Sequence, residues 1–339
     1  MDKKKKVLVL GGTGAMGVYL VPELLKMGYR VDVVSLDTLE SNHPDLRHIQ
    51  TKDAKEVGFM TDLLKKEYHA IVDFLIYDTA SFKEKHRLLL ENTGHYIYLS
   101  SYRIYANEEH PIRETSPRLV DVSTDQAYLA TDDYSLHKAR GEDTLRASGL
   151  GNWTAIRPAI TYSRRRFQLV TLEALTVINR ARAGKTLVLP QEALGVQATM
   201  SWGGDVASMI ARLVLNKAAF REIYTVATAE HNPWQTVADY YHELIGLKYI
   251  AVDKETYLHM ITGGGESPGR RGARWQLDYD RLFDRVIDNS KILNVTGLRQ
   301  SELMPLHDGL QRELNALPEN YVFPGRDLCG ERMDAYLAR

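Results

Sequence analysis

The sequence predicts an α/β fold: a doubly wound parallel sheet with a smaller, mostly helical C-terminal lobe. Two observations predict it. Short apolar runs suited to strands buried on both faces alternate with amphipathic helical stretches along the first half of the chain. The first of these runs passes into a glycine-rich turn that opens a helix, as in open sheets that take a ligand at the carboxyl ends of their strands.

Val7 to Leu10 is a continuous apolar run stopped by Gly11-Gly12, as expected of a buried parallel strand. From Met16 to Met27, Val18, Leu20, Val21, Leu24 and Leu25 recur at helical spacing, and Gly28 stands where a helix stop belongs. Val31 to Leu36 reads as the second strand. Ala70 to Ile76, Tyr96 to Leu99 and Trp153 to Ile156 read as further strands, with helices over Val57 to Lys66, Phe82 to Glu91 and Tyr134 to Ala147. After Arg157-Pro158 the texture changes. Arg164-Arg165-Arg166 opens a loop, Gln168 to Ala183 is expected to be helical, and Thr186 to Leu189 a strand; the helix Asp205 to Leu215 and strand Glu222 to Ala227 return the chain to the sheet. From Asn232 on, helical segments broken at Gly263-Gly264-Gly265 and Gly269 complete the smaller lobe. The expected division is 1–160 with 202–228 for the sheet domain, and 161–201 with 229–339 for the lobe.

Composition narrows the function. The 339 residues can bury a large core without staples, and the formal net charge of -1 offers no global attraction to nucleic acid or anionic lipid. No apolar run reaches the ~18 residues of a spanning helix, and Lys3 to Lys6 leads straight into the first strand, so a cytoplasmic protein is expected. Cys329 is the only cysteine, which excludes an internal disulfide. The histidines show no metal-ligand spacing, so no metal is expected.

The segment Gly11-Gly12-Thr13-Gly14-Ala15-Met16-Gly17 lies where amides at a helix N-terminus can hold a pyrophosphate. Gly11 and Gly14 suit the tight turn and close phosphate approach, and Gly17 suits close packing of helix on strand. Asp37 stands at the spacing of the carboxylate that accepts from ribose hydroxyls in NAD sites, with Ser35 the alternative occupant. No Arg or Lys occurs between Val31 and Asn42, which favours NAD over NADP. Tyr134 and Lys138, four apart on one helix face, pair a phenol with an ammonium that favours phenolate, and Ser101 at a strand end can bond the same substrate oxygen. Arg164 to Arg166 and the set Arg270, Arg271 and Arg274 are either solvated basic loops or a diphosphate clamp. Trp202 and Trp234 suit the core or a lobe interface.

Gly11-x-x-Gly14-x-x-Gly17, Ser100-Ser101 followed by Tyr105, Tyr134-x-x-x-Lys138 and Arg157-Pro158 resemble, in order and spacing, the extended short-chain dehydrogenases/reductases, the group with nucleotide-sugar epimerases, dehydratases and reductases. The resemblance implies a Rossmann-type sheet, catalysis by the residues matching Ser101, Tyr134 and Lys138, a loop at Pro158 beside the nicotinamide, and an adenine contact at Asp53. Thr13, Ala15 and Met16 fall within the implied cofactor turn. Two departures matter. The Asp73 to Tyr96 connection is short, and Tyr102-Arg103 replaces the acidic pair that dehydratases carry after their catalytic hydroxyl, which disfavours dehydration. The expected protein is thus an NAD-dependent epimerase or oxidoreductase acting at a carbinol or ketone of a sugar or nucleotide-sugar-like substrate, with a homodimer compatible and no nucleic acid or membrane partner. The alternative is a non-catalytic, atypical member of that fold that binds RNA or a regulatory protein.

Overall fold

A computed structural model describes residues 4–37, 40–264 and 268–339, the side chains of 268–270 excepted. Lys3, Gly265 and the Arg270 side chain, named above, lie outside the described residues. The first strand, β1 (Lys6–Leu10), explains its own composition: Val7 and Val9 pack on one side of the sheet with Leu20 and Leu24, while Leu8 and Leu10 pack on the other with Met60 and Ile71. A strand covered on both faces has no polar side to show, hence the unbroken apolar run.

The chain continues through α1 (Gly17–Lys26), β2 (Arg30–Ser35), β3 (Leu46–Gln50), α2 (Val57–Leu64), β4 (Tyr68–Asp73), α3 (Thr79–Glu91) and β5 (Thr93–Leu99). Two short turns of helix, α4 (Leu119–Val122) and α5 (Gln126–Leu129), precede α6 (Tyr134–Ala147) and β6 (Trp153–Pro158). There follow β7 (Ile160–Tyr162), β8 (Gln168–Leu169), β9 (Leu172–Glu173), α7 (Ala174–Arg182), β10 (Thr186–Pro190), β11 (Gln197–Trp202), α8 (Gly203–Leu213) and β12 (Glu222–Val226). Seven strands form one parallel sheet in the order β12-β6-β5-β4-β1-β2-β3. The order reverses between β1 and β4, and a crevice at the carboxyl ends of the strands is the place such sheets bind ligands.

Two expectations are corrected. Residues 168–173 form the small antiparallel pair β8–β9 rather than the start of a helix, which begins only at Ala174. The hairpin turns at Val170, whose φ is 52°, and Leu169, Val170 and Leu172 are all buried, so their apolar spacing records packing and not helical period. Gly269 lies inside a helix, Pro268–Gln276, rather than in a loop. The strand β3 has no counterpart in the sequence reading.

The remaining chain is mostly helical and builds its own core, with Trp234, Val237, Tyr241 and Leu310 buried together against Phe167 and Leu189. Trp202 instead stands edge-on to Tyr19 of α1, ring centroids 5.2 Å apart, and donates from Nε1 to Glu313 at 2.6 Å. Glu313 also accepts from the Tyr19 hydroxyl at 2.5 Å and the Arg164 amide at 2.6 Å. Cys329, on the helix Leu328–Leu337, packs at the edge of this second core, and burial pushes its thiol up to about 12. Among the described residues no helix is long and apolar enough to cross a membrane.

Candidate active site

At the carboxyl end of β1, Gly11 takes φ +73°, a conformation that favours glycine, and bonds its amide to the Val34 carbonyl of β2. A Cβ on Gly17 would stand 2.3 Å from the Gly12 carbonyl oxygen, so α1 can lie on the turn only because that side chain is absent. Gly14 differs: a Cβ there would meet nothing nearer than the Gly11 carbonyl at 3.6 Å. The protein itself therefore does not require glycine at 14, whereas a pyrophosphate laid across the turn would. Helix α1 starts at Met16-Gly17 with no side-chain cap on its first amides, which leaves donors for an anion. These residues fit a dinucleotide.

Thr13 of the turn donates to Asp37 at 2.5 Å, which holds that carboxylate at the end of β2 beside the turn. Asp53 lies exposed just beyond β3, on the neighbouring strand end. The absence of basic residues near Asp37 in the sequence does not carry over to space, because Arg165 reaches to 3.6 Å from its carboxylate. Ser35 is occupied with the Asp37 carbonyl.

The catalytic candidates converge from two elements. Ser101, at the end of β5, caps a turn by accepting from the Arg103 amide at 3.2 Å. Tyr134 is the first residue of α6, whose N-terminus is capped by Asp133, and the Ser101 hydroxyl bonds its phenol in the sense that favours phenolate. Lys138, one turn on, is fully buried; its Nζ donates to the Leu99 carbonyl at 2.6 Å and lies 5.6 Å from the Tyr134 ring centre. Burial lowers this ammonium to about 7, partly offset by Asp73. Burial likewise raises Tyr134, opposed first by Arg103 and then by Arg166. A cavity of about 410 Å³ brings together Met16, Ser101, Tyr134 and Pro158.

Behind the site, Arg157 bonds both oxygens of the fully buried Glu142 at 2.8 and 2.7 Å, and Glu142 also accepts from Ser100 at 2.6 Å. Arg157 donates further to the Tyr105 hydroxyl at 2.8 Å. This network explains why Ser100, Tyr105 and Arg157 stand near the catalytic candidates in sequence order: it fixes β5, α6 and β6 relative to one another.

Sequence reasoning named Arg164 to Arg166 as a basic loop or diphosphate clamp and Arg103 only beside Tyr102, and it missed Arg281 and the gathering of these cations around Tyr134. Arg103 stacks over its ring at 5.0 Å, and Arg166 and Arg281 line the same cavity. Asp280 and Arg281 sit on a π-helical turn, Leu277–Arg281, an irregularity frequent at functional sites. Arg103 next to Tyr102 and the run Arg164 to Arg166 offered signals; Asp280 and Arg281 come from the far end of the chain with no spacing to mark them. The two arginine clusters part company. Arg164 covers Tyr19, Arg165 meets Asp37 and Arg166 faces Tyr134, whereas Arg274 is engaged by Glu255 away from the cavity.

A family model for the NAD dependent epimerase/dehydratase family matches residues 7–227. The chain belongs to this family. NAD is the family's cofactor, in agreement with the expectation from the glycine turn. Among solved structures, the likeness in fold extends to dTDP-glucose 4,6-dehydratase from Bacillus anthracis in complex with NAD, at 16% identity over 92% of this chain and 96% of that one, TM-score 0.66. It extends also to the UDP-glucose 4-epimerase of Thermus thermophilus in complex with NAD, at 17% identity over 91% and 98%, TM-score 0.63. A curated relative, the chloroplast stem-loop binding protein of 41 kDa b from Arabidopsis thaliana, is 24% identical over 241 residues, 67% of this chain and 59% of that protein. The match thus spans less than two thirds of the relative's length.

Proposed function

We propose that the protein is an NAD-dependent epimerase or reductase that works at a carbinol or ketone carbon of a sugar or nucleotide sugar. The observation that carries this reading is the placement of Ser101 and Tyr134 in one cavity whose wall includes Met16 of the glycine turn and Pro158 of β6, with Lys138 buried one helical turn after Tyr134 and bonded to the Leu99 carbonyl. Residues 1–160 and 202–228 would hold the cofactor, through Gly11, Thr13, Gly14, Ala15, Met16, Gly17, Asp37 and Asp53, and 161–201 with 229–339 the substrate. Bound NAD supplies an acceptor and donor of hydride. Ser101 would position the substrate oxygen, and Tyr134 would exchange its Oη proton with it. The upward push of burial on Tyr134 keeps the phenol protonated at neutral pH, which suits delivery of a proton to a carbonyl oxygen. Lys138, tied to the end of β5, holds its amine 5.6 Å from the centre of the ring.

Calorimetric titration with NAD tests the cofactor half: Gly14→Val should fold, since its Cβ has room, and lose NAD affinity. Equal affinity in wild type and variant would remove the assignment. For the chemistry, Tyr134→Phe should keep NAD affinity and lower turnover by about 10²–10⁴ in a screen of nucleotide sugars; wild-type turnover would refute the role of Tyr134.

A second reading, RNA binding, has one surface and one relative in its favour. At the amino ends of the strands, opposite the cofactor turn, Lys4, Lys5, Lys6, Arg30 and Lys66 line a groove of about 730 Å³ suited to a phosphate backbone, and the Arabidopsis relative is named for stem-loop binding. Anisotropy with a stem-loop RNA should then show affinity that falls steeply with salt and weakens in Lys5→Glu. No binding at low salt would dismiss this reading.

A further inference from the structure

The wall of the catalytic cavity carries more positive charge than a neutral sugar ring needs. Arg103 reaches over the Tyr134 ring, yet among the described residues its guanidinium makes no hydrogen bond: Nε is buried and lies 3.4 Å from Asp280, outside bonding geometry, and one terminal nitrogen is 4.0 Å from Asp133. Asp280 is already engaged by Arg281 and by Arg285 at 3.2 Å, and Asp133 caps α6. Arg166, which lines the same cavity, has among the described residues one ionic neighbour, Glu173 at 3.5 Å. Two guanidiniums with free donors therefore face one cavity from different elements. Each guanidinium has an ionic neighbour but keeps donors free, and planar bidentate donors match carboxylate and phosphate oxygens.

We propose that the substrate carries an anionic group, a carboxylate or a phosphate, close to its reacting carbinol, and that Arg103 and Arg166 bind it. This rests on the reading of the cavity as the substrate site, and it names the substrate class: an acidic sugar or sugar phosphate in place of a neutral hexose unit. Arg103 binds from the catalytic side, fixed by Asp280 behind it. Arg166 closes from the loop after β7, exchanging Glu173 for the ligand.

The test uses the full chain loaded with NAD and three probes of one ring size: glucuronate, glucose 6-phosphate and glucose, titrated by ligand-observed NMR. At least one anion should bind about tenfold more tightly than glucose, and Arg103→Gln and Arg166→Gln should each lose about tenfold of that affinity while glucose is unaffected. Whether the carboxylate or the phosphate binds identifies the group. Arg166 lies on a half-exposed loop, so its variant decides should Arg103→Gln fail to fold. Equal binding of all three probes, no binding of either anion, or full affinity in Arg166→Gln would overturn the proposal. Titration of NAD in the same samples keeps the two readings apart: failure to bind NAD would strike the proposed function, and the anion titration would then be read on the free protein.

Discussion

Lys138 shows how much one residue's surroundings decide. Its ammonium is buried against Leu99, Tyr98 and Tyr134 with its compensating charge, Asp73, near but not bonded to it, and its pKa falls from 10.5 to about 7. Between those values the unfolded chain binds a proton that the native protein does not, so this residue makes stability rise with pH across that window. Below about 7 both states hold the proton, and above 10.5 neither does. The difference in urea-unfolding free energy between wild type and Lys138→Met should therefore move in favour of wild type from pH 7 to 10; a pH-independent difference would show that the amine keeps its usual affinity for protons. The pairing of Tyr134 with Lys138 was legible because both ride one helix face, where spacing fixes geometry. Arg103 was visible as a departure from a familiar pattern but not as a partner of Tyr134, since the turn after β5, and not any period, aims its side chain.

At the scale of elements, the Glu142–Arg157 pair is the joint between β5, α6 and β6. Both side chains are buried, and removing one partner from such a pair leaves an uncompensated charge, at a cost of about 3–5 kcal/mol. Glu142→Ala should show this loss in denaturant unfolding and also lower turnover by displacing Ser101 and Tyr134; a variant of wild-type stability would mean that water replaces the carboxylate. The elements that the sequence displayed plainly, β1 and α1, are those whose burial shows in their apolar residues, as an unbroken run in β1 and at helical spacing in α1. The strand β3 was missed for a physical reason: as the edge of the sheet it carries Arg47, His48 and Gln50 among two apolar residues, and edge strands favour such polar content. The β8–β9 hairpin was misread as helix because its apolar residues serve the core of the second lobe, which sequence spacing alone does not reveal.

At the scale of the whole molecule, the two cores meet through Glu313, which receives hydrogen bonds from Tyr19 of α1, Trp202 at the end of β11 and the Arg164 amide of the arginine loop. A single buried carboxylate thus ties the cofactor turn's helix to the loop that carries Arg165 and Arg166. Hydrogen bonds to a charged group contribute about 1.5–3 kcal/mol each. Glu313→Gln preserves shape but gives up charge and one acceptor, so it should lower the unfolding midpoint and speed proteolytic cleavage near residues 163–167; unchanged cleavage would assign the loop's order to other contacts. The packing around Cys329 has a further use. Burial pushes its thiol well up, so at pH 8 the native protein holds far less thiolate at this position than the unfolded chain does. A disulfide reagent should consequently react more slowly with the native protein than with the unfolded chain, and faster whenever the C-terminal helix opens. The chain carries its own clock for counting partial openings, with no label to introduce.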